Sequence, residues 1–234
     1  MANVLMVVSA ADHWTLADGS TYPTGFWAEE LLTPYECFQK AGMEITFATP
    51  GGKAPTVDET SLSIKGGVLP PAAAKFKEKL AELEPQLSNP RDLADIDPDA
   101  FDLIFYPGGH GPMEDLAYDK TSGELLSQRL ASGRPLALLC HAPAALLATI
   151  DEATGQTPFA NKNVTAFSNA EEIINPAAKK AKWLLEDRLK AAGMNYQKAL
   201  LPMRPKVVQD GNLFTGQNPQ SSQELAELLI AELT

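Results

Sequence analysis

The chain of 234 residues is poor in cysteine: only Cys37 and Cys140 are present, far apart, with no CxxC pair. That excludes a disulfide-stapled scaffold and a cysteine zinc site, and it fits a reducing cytosol. Histidine is scarcer than its chemistry requires for metal work, since His13, His110 and His141 show neither HxH nor i,i+4 spacing. No apolar run is long enough to cross a bilayer, and MANVLMVVS reaches its first apolar run with no basic stretch before it. Neither a membrane span nor a secretory signal is therefore expected. Positive charge is also short, with 19 Lys and Arg against 30 Asp and Glu and a net charge of −11. No basic cluster follows a predicted helix, so nucleic acid and anionic membranes are poor partners. Nucleotide-phosphate loops of the GxxxxGK[ST] or GxGxxG type are missing too, and no cofactor is expected from motif.

What is present is a globular composition, 44% hydrophobic, arranged in short apolar runs separated by helical patterns. Val4–Val8, Ile45–Ala48, Leu103–Tyr106, Leu136–Cys140 and Val164–Phe167 read as strands buried on both faces. Helices are predicted over Gly25–Ala41, Leu116–Ala131, Ala142–Ala148, Ala177–Ala192 and Gln223–Leu233, the last opened by a Ser221-x-x-Glu224 capping box. KVVQDGNLFTG reads as a hairpin turning at Asp210-Gly211. The alternation predicts an α/β fold with a mainly parallel sheet and helices on both faces. Residues 50–98, with PGGKAP, GGVLPP and a Lys/Glu-rich helix, read as a cap-like insertion within a single domain spanning 1–234.

PLALLCHAPAALLA poses the chemical question. Cys140 stands where a strand ends and a Pro143-started helix begins, and ligands bind beyond the carboxyl ends of parallel strands. There the helix N-terminus is expected to lower the thiol pKa and make a nucleophile, although a buried core thiol remains open. His141 is then a candidate proton shuttle, or else a helix-start residue bonded to backbone. On the helix after Gly25, Trp27, Leu31, Pro34 and Phe38 form an apolar stripe that Glu30 flanks while Glu29 points away. Pro34 also leaves the Glu30 carbonyl without its helical donor. Glu30 is either a site carboxylate or a solvated helix charge. Gly108 and Gly109 in YPGGHG are either a tight turn or an oxyanion and substrate site. In FSNAEE, Asn169 is a candidate N-cap, and the carboxylates could orient His141.

Taken together, TGFWAEELLTP, YPGGHGPMEDL, ALLCHAP and TGQNPQSS resemble the DJ-1/PfpI superfamily, over most of the chain. The insertion and the carboxylate after FSNAE are similar to its heat-shock chaperone and glyoxalase III branch. The resemblance implies a flavodoxin-like sandwich and a Cys–His–Glu triad of Cys140, His141 and Glu172, with Glu171 one position away as the other candidate. It also implies that Glu30 shares a proton with the thiol. The expected activity is cofactor-free conversion of methylglyoxal and water to lactate without glutathione, on a small 2-oxoaldehyde such as methylglyoxal or glyoxal. A redox-responsive holdase chaperone and a cysteine-dependent deglycase or hydrolase are the alternatives, and a cytoplasmic homodimer is the implied setting.

Overall fold

LIFY and LALL are apolar at every position, and a strand of that pattern is stable only between two covered faces. In the computed structural model, which describes residues 2–234, both are buried at every residue in the middle of one sheet. The first half of the chain runs β1 (Asn3–Val7), β2 (His13–Thr15), β3 (Thr21–Pro23), α1 (Ala28–Lys40), β4 (Glu44–Thr49), α2 (Pro70–Leu87), β5 (Arg91–Asp92) and β6 (Leu103–Tyr106). Then come α3 (Gly111–Glu114), α4 (Lys120–Ser132), β7 (Leu136–Leu139), β8 (Asn163–Val164), α5 (Asn169–Glu172) and α6 (Leu185–Ala191). The chain closes with β9 (Asn195–Tyr196), β10 (Val207–Asp210), β11 (Leu213–Gly216) and α7 (Ser222–Leu233).

The main sheet has seven strands in the order β10-β11-β7-β6-β1-β4-β5. Only the β10–β11 hairpin, turning at Asp210-Gly211 as predicted, is antiparallel. Alternate residues feed two cores. Leu5, Ile104, Tyr106, Leu136 and Leu138 pack on one side with Leu125 and Leu146. Met6, Phe105, Ala137 and Leu139 pack on the other with Leu31 and Phe38 of α1 and Leu225 and Leu229 of α7. The strand order reverses beside β1, which leaves a crevice at the carboxyl ends of β1, β6 and β7. Residues 50–98 supply 3₁₀ turns, α2 and the edge strand β5, and they lend Asp58, Thr60 and Lys65 to the crevice wall.

Several predicted elements end differently, each for a local reason. The first helix starts at Ala28, not Gly25, because Phe26 N–H donates to Thr56 and Trp27 N–H to Gly108. The predicted Leu116–Ala131 helix begins only at Lys120, where Asp119 caps it by accepting from Ser122 N–H. Ala142–Thr149 winds as a 3₁₀ helix rather than an α-helix. Val164–Phe167 does not join the main sheet: β11 occupies the place beside β7, and β8 pairs with β9 instead. The Ser221 capping box is not formed, because the Ser221 hydroxyl is bonded to Lys206 and Asn218. A capping box forms instead at Ser168 and Glu171, one residue before the predicted Asn169 cap.

One buried cation fixes the bases of the two central strands. Arg129 is 1% exposed and donates to the carbonyls of Pro98, Phe101, Asp102 and Pro135, at the N-terminal ends of β6 and β7. Burial pulls its pKa down to about 10, so it remains charged at neutral pH. Arg129→Met removes the guanidinium donors from these buried carbonyls, of which Pro135 keeps a backbone donor in Ile104 N–H, and should cost on the order of 3 kcal/mol, measured as a lowered urea midpoint at unchanged m. An unchanged midpoint would show that the guanidinium is dispensable.

Candidate active site

Cys140 follows the last residue of β7 and has φ of +61°, a left-handed backbone that an L-residue adopts at a cost of about 1–2 kcal/mol. Its N–H donates to Gly216 O at 2.8 Å and its carbonyl accepts from Phe167 N–H at 2.9 Å. The elbow is thereby clamped between the end of β11 and the strand-like segment after β8, with the thiol on a cavity of about 590 Å³. The loop after β6 passes directly beneath. A Cβ on Gly108 would lie 2.9 Å from Cys140 Cβ and 2.5 Å from a Glu30 carboxyl oxygen. Gly109, at φ +99°, would strike Gly25 O at 2.3 Å. Both positions require glycine for close approach. Gly109 lines the cavity, whereas Gly108 N–H faces the Glu30 carboxyl behind the thiol.

Glu30 is completely buried. Its carboxyl oxygens meet no partner at full hydrogen-bonding geometry, and the polar groups facing them are the Cys140 thiol and Gly108 N–H. Burial pushes its pKa up to about 8, so Glu30 is mainly a neutral acid at pH 7. The solvated-charge reading of Glu30 is thus overturned. Cys140 departs from expectation in the opposite way. Burial pushes the thiol pKa well up, and the nearby Glu30, Glu171 and Glu172 reinforce the shift. The short 3₁₀ helix that follows does not outweigh these, so the thiol is not acidified by a helix terminus at rest.

His141 faces the thiol with Nδ1 at 3.3 Å from Sγ and holds Glu172 Oε2 with Nε2 at 2.6 Å. Burial alone would raise the Glu172 pKa, but His110 and His141 beside it hold the carboxyl well below its usual range. An ionised carboxylate only accepts, so Nε2 of His141 carries the proton and Nδ1 presents a lone pair to the thiol. Glu171 points elsewhere. It accepts from Ser168, Met203, Gln217 and Asn218, which anchors α5 to the neighbouring segments. Cys140, His141, Glu30 and Glu172 are brought together, and the doublet is resolved by geometry in favour of Glu172 as the carboxylate that meets His141.

One residue at the centre was given no role from sequence. His110 donates from Nε2 to Glu172 Oε1 at 2.8 Å and packs against His141, with ring centroids 4.1 Å apart. The one signal available was its place after a core strand, the same kind of place as Cys140. Trp14, on β2, stacks on His110 at 4.9 Å, whereas His13 bonds Asp12 and is half-exposed. Ligand-capable atoms of His110, His141 and Glu172 gather within 4.8 Å. Both carboxylate oxygens already accept from the two Nε2 atoms, so a cation here would replace those hydrogen bonds.

The model of the DJ-1/PfpI family matches residues 22–232. The chain belongs to the DJ-1/PfpI family. It is 30% identical to the glutathione-independent glyoxalase HSP31 of Saccharomyces cerevisiae, over 95% of this chain and 94% of that one. It is 27% identical to a protein/nucleic acid deglycase HchA of Pseudomonas aeruginosa, over 96% of this chain and 78% of the relative. Among solved structures, glyoxalase III from Candida albicans superposes with a TM-score of 0.81 at 28% identity, over 98% of this chain and 96% of that chain. The rapid encystment protein of Francisella tularensis reaches 0.86 at 30% identity, over the whole of both chains. Among the described residues of this family member, no helix is long and apolar enough to cross a membrane.

Two outcomes follow from the elbow and its buried acid. Cys140→Gly relieves the left-handed strain that Cys140→Ala retains, so it should be the more stable by about 1 kcal/mol in denaturant unfolding. Equal stability would mean that the elbow is unstrained. Between pH 4.5 and about 8, folded Glu30 keeps a proton that the unfolded chain has released. Its contribution is full below the ordinary carboxyl value and is lost as pH rises toward 8. The Tm of Glu30→Gln minus that of wild type should therefore grow across that window; a gap independent of pH contradicts the raised value.

Proposed function

We propose that this chain is a glutathione-independent glyoxalase that converts methylglyoxal and water to lactate, with Cys140 as nucleophile. The observation that carries the reading is the Cys140 Sγ–His141 Nδ1 pair at 3.3 Å on the cavity wall, with His141 oriented by Glu172. The relatives named as glyoxalases in Saccharomyces cerevisiae and Candida albicans support it.

The resting thiol is weakly acidic, so attack is coupled to proton transfer and not to a standing thiolate. His141 Nδ1 takes the thiol proton as sulfur bonds to the aldehyde carbon C1, and it passes that proton to the new alkoxide O1. The product is a hemithioacetal. Glu30, neutral at pH 7, lends a hydrogen bond to sulfur while it carries charge. His141 Nδ1, again neutral, then removes hydrogen from C1 and returns it to C2 through an enediol, leaving a lactoyl thioester. Water cleaves the thioester to lactate and the thiol. Backbone N–H groups near Gly109 and His141 are the oxyanion donors in this reading. The substrate is a small 2-oxoaldehyde and the reaction is of the lyase type.

A second reading is favoured by the cavity itself. At about 590 Å³ it is larger than a three-carbon aldehyde needs, and this suits the same thiol acting on an aldehyde adduct of a larger body. HchA relatives are named as deglycases of protein and nucleic acid.

The test is lactate formation from methylglyoxal without glutathione, with chiral readout. Wild type should produce lactate, Cys140→Ala should produce none, and Glu172→Gln should lose about 10²-fold or more in kcat. The Gln amide can present a donor where His141 Nε2–H needs an acceptor, which releases the tautomer. Failure of wild type to make lactate sinks the glyoxalase reading, and full activity in Cys140→Ala sinks the nucleophile.

A further inference from the structure

Moving hydrogen from C1 to C2 is only half of the isomerisation. A proton must also reach the ketone oxygen O2 as the enediol forms, and another must leave O1 as the thioester forms. His141 Nδ1 is engaged with carbon, so the oxygens need a second acid–base group. His110 stands where such a group would stand. It is 7% exposed and lines the same cavity as Cys140. Its Nε2 and that of His141 donate to opposite oxygens of Glu172, at 2.8 and 2.6 Å. Its Nδ1 has no hydrogen-bond partner among the described residues. Trp14 and Phe167 close the two ends of the imidazole pair, at 4.9 and 4.6 Å between centroids.

We propose that His110 is a second catalytic residue, which gives its Nδ1 proton to O2 while His141 takes hydrogen from C1, and recovers a proton from O1 while His141 delivers hydrogen to C2. The inference rests on the glyoxalase reading above. In the first half the C1–H bond and the His110 Nδ1–H bond break, while bonds from hydrogen to His141 Nδ1 and to O2 form. The C1–H electron pair becomes the C1–C2 double bond, and the C2–O2 π pair binds the proton. In the second half the O1–H and His141 Nδ1–H bonds break, while the C2–H and His110 Nδ1–H bonds form. O1 is left as the thioester carbonyl.

Through both halves of the isomerisation the trio of His110, Glu172 and His141 holds one extra proton, and only the side of Glu172 on which it sits changes. This matters because two imidazolium rings with centroids 4.1 Å apart in a buried site would repel strongly. The resting order agrees with this. Burial lowers the proton affinity of both rings, but Glu172 lifts His110 above its ordinary value, whereas the charge on His110 keeps His141 below its own. The ionisable groups that face the pair are Cys140, Asp58 in the 50–98 segment, and Glu171 and Glu172 on α5, while Glu30 on α1 faces Cys140.

The test compares wild type with His110→Gln, whose amide can still donate to Glu172 but cannot shuttle a proton. Lactate formation, methylglyoxal capture by Cys140 (read as protection from alkylation) and the solvent deuterium isotope effect are measured together. The expected result is a loss of about 10²–10³-fold in kcat with capture retained and a larger solvent isotope effect. Unchanged kcat in His110→Gln overturns the inference while lactate formation by wild type leaves the glyoxalase reading standing. Loss of capture in proportion to kcat also overturns it, because His110 would then only hold Glu172 in place. No lactate from wild type overturns both. If His110→Gln does not fold, His110→Asn carries the same comparison.

Discussion

The site depends on a backbone constraint at Cys140. A residue with a side chain is held at φ +61° by hydrogen bonds in the two peptide planes that flank its Cα, to Gly216 O and from Phe167 N–H. The conformation is costly in isolation, and the surrounding packing over-determines it. Leu136–Leu139 is buried at every residue, flanked by β6 and β11, so the strand cannot shift to relax its own end. This turns the thiol out of the sheet and aligns the next residue, His141, with a carboxylate that comes from a different part of the chain.

Once the elbow is set, the electrostatics follow from how little water reaches it. Glu30, Cys140, His141 and Glu172 are each 3% exposed or less. In that environment a charge persists only where a partner is supplied. Glu172 has two imidazoles and stays ionised; Glu30 has none and takes up a proton. Two carboxyl groups that look alike in sequence are thereby driven to opposite protonation states: one accepts from imidazoles, the other keeps its proton where it faces the thiol. The thiol feels burial more than helix polarity, so its resting pKa is raised rather than lowered.

Glu171 shows how the neighbourhood supports this division. Buried beside Glu172, it collects donors from Ser168, Met203, Gln217 and Asn218, so it anchors the short helix α5 on which Glu172 rides. A four-residue helix has little stability of its own, and without such bonds its orientation would be loose. The precision of the His141–Glu172 contact is inherited from this buried network.

The amino-acid sequence by itself determined the architecture. Period, apolar runs and turn residues select a mainly parallel sheet with covered faces, and the Cys140-His141 corner and the glycines beside it are local signals that survive folding. What it did not determine are the relations between residues far apart. The choice of Glu172 over Glu171, the burial of Glu30 and the engagement of His110 with Glu172 each depend on how loops from separate strands converge. The short element at Ala142–Thr149 and the Ser168 cap went the same way, decided by which backbone and hydroxyl groups found partners after packing. Local propensity reaches only a few residues along the chain, whereas a buried charge is governed by everything within several ångströms of it, and only the tertiary structure chooses those neighbours.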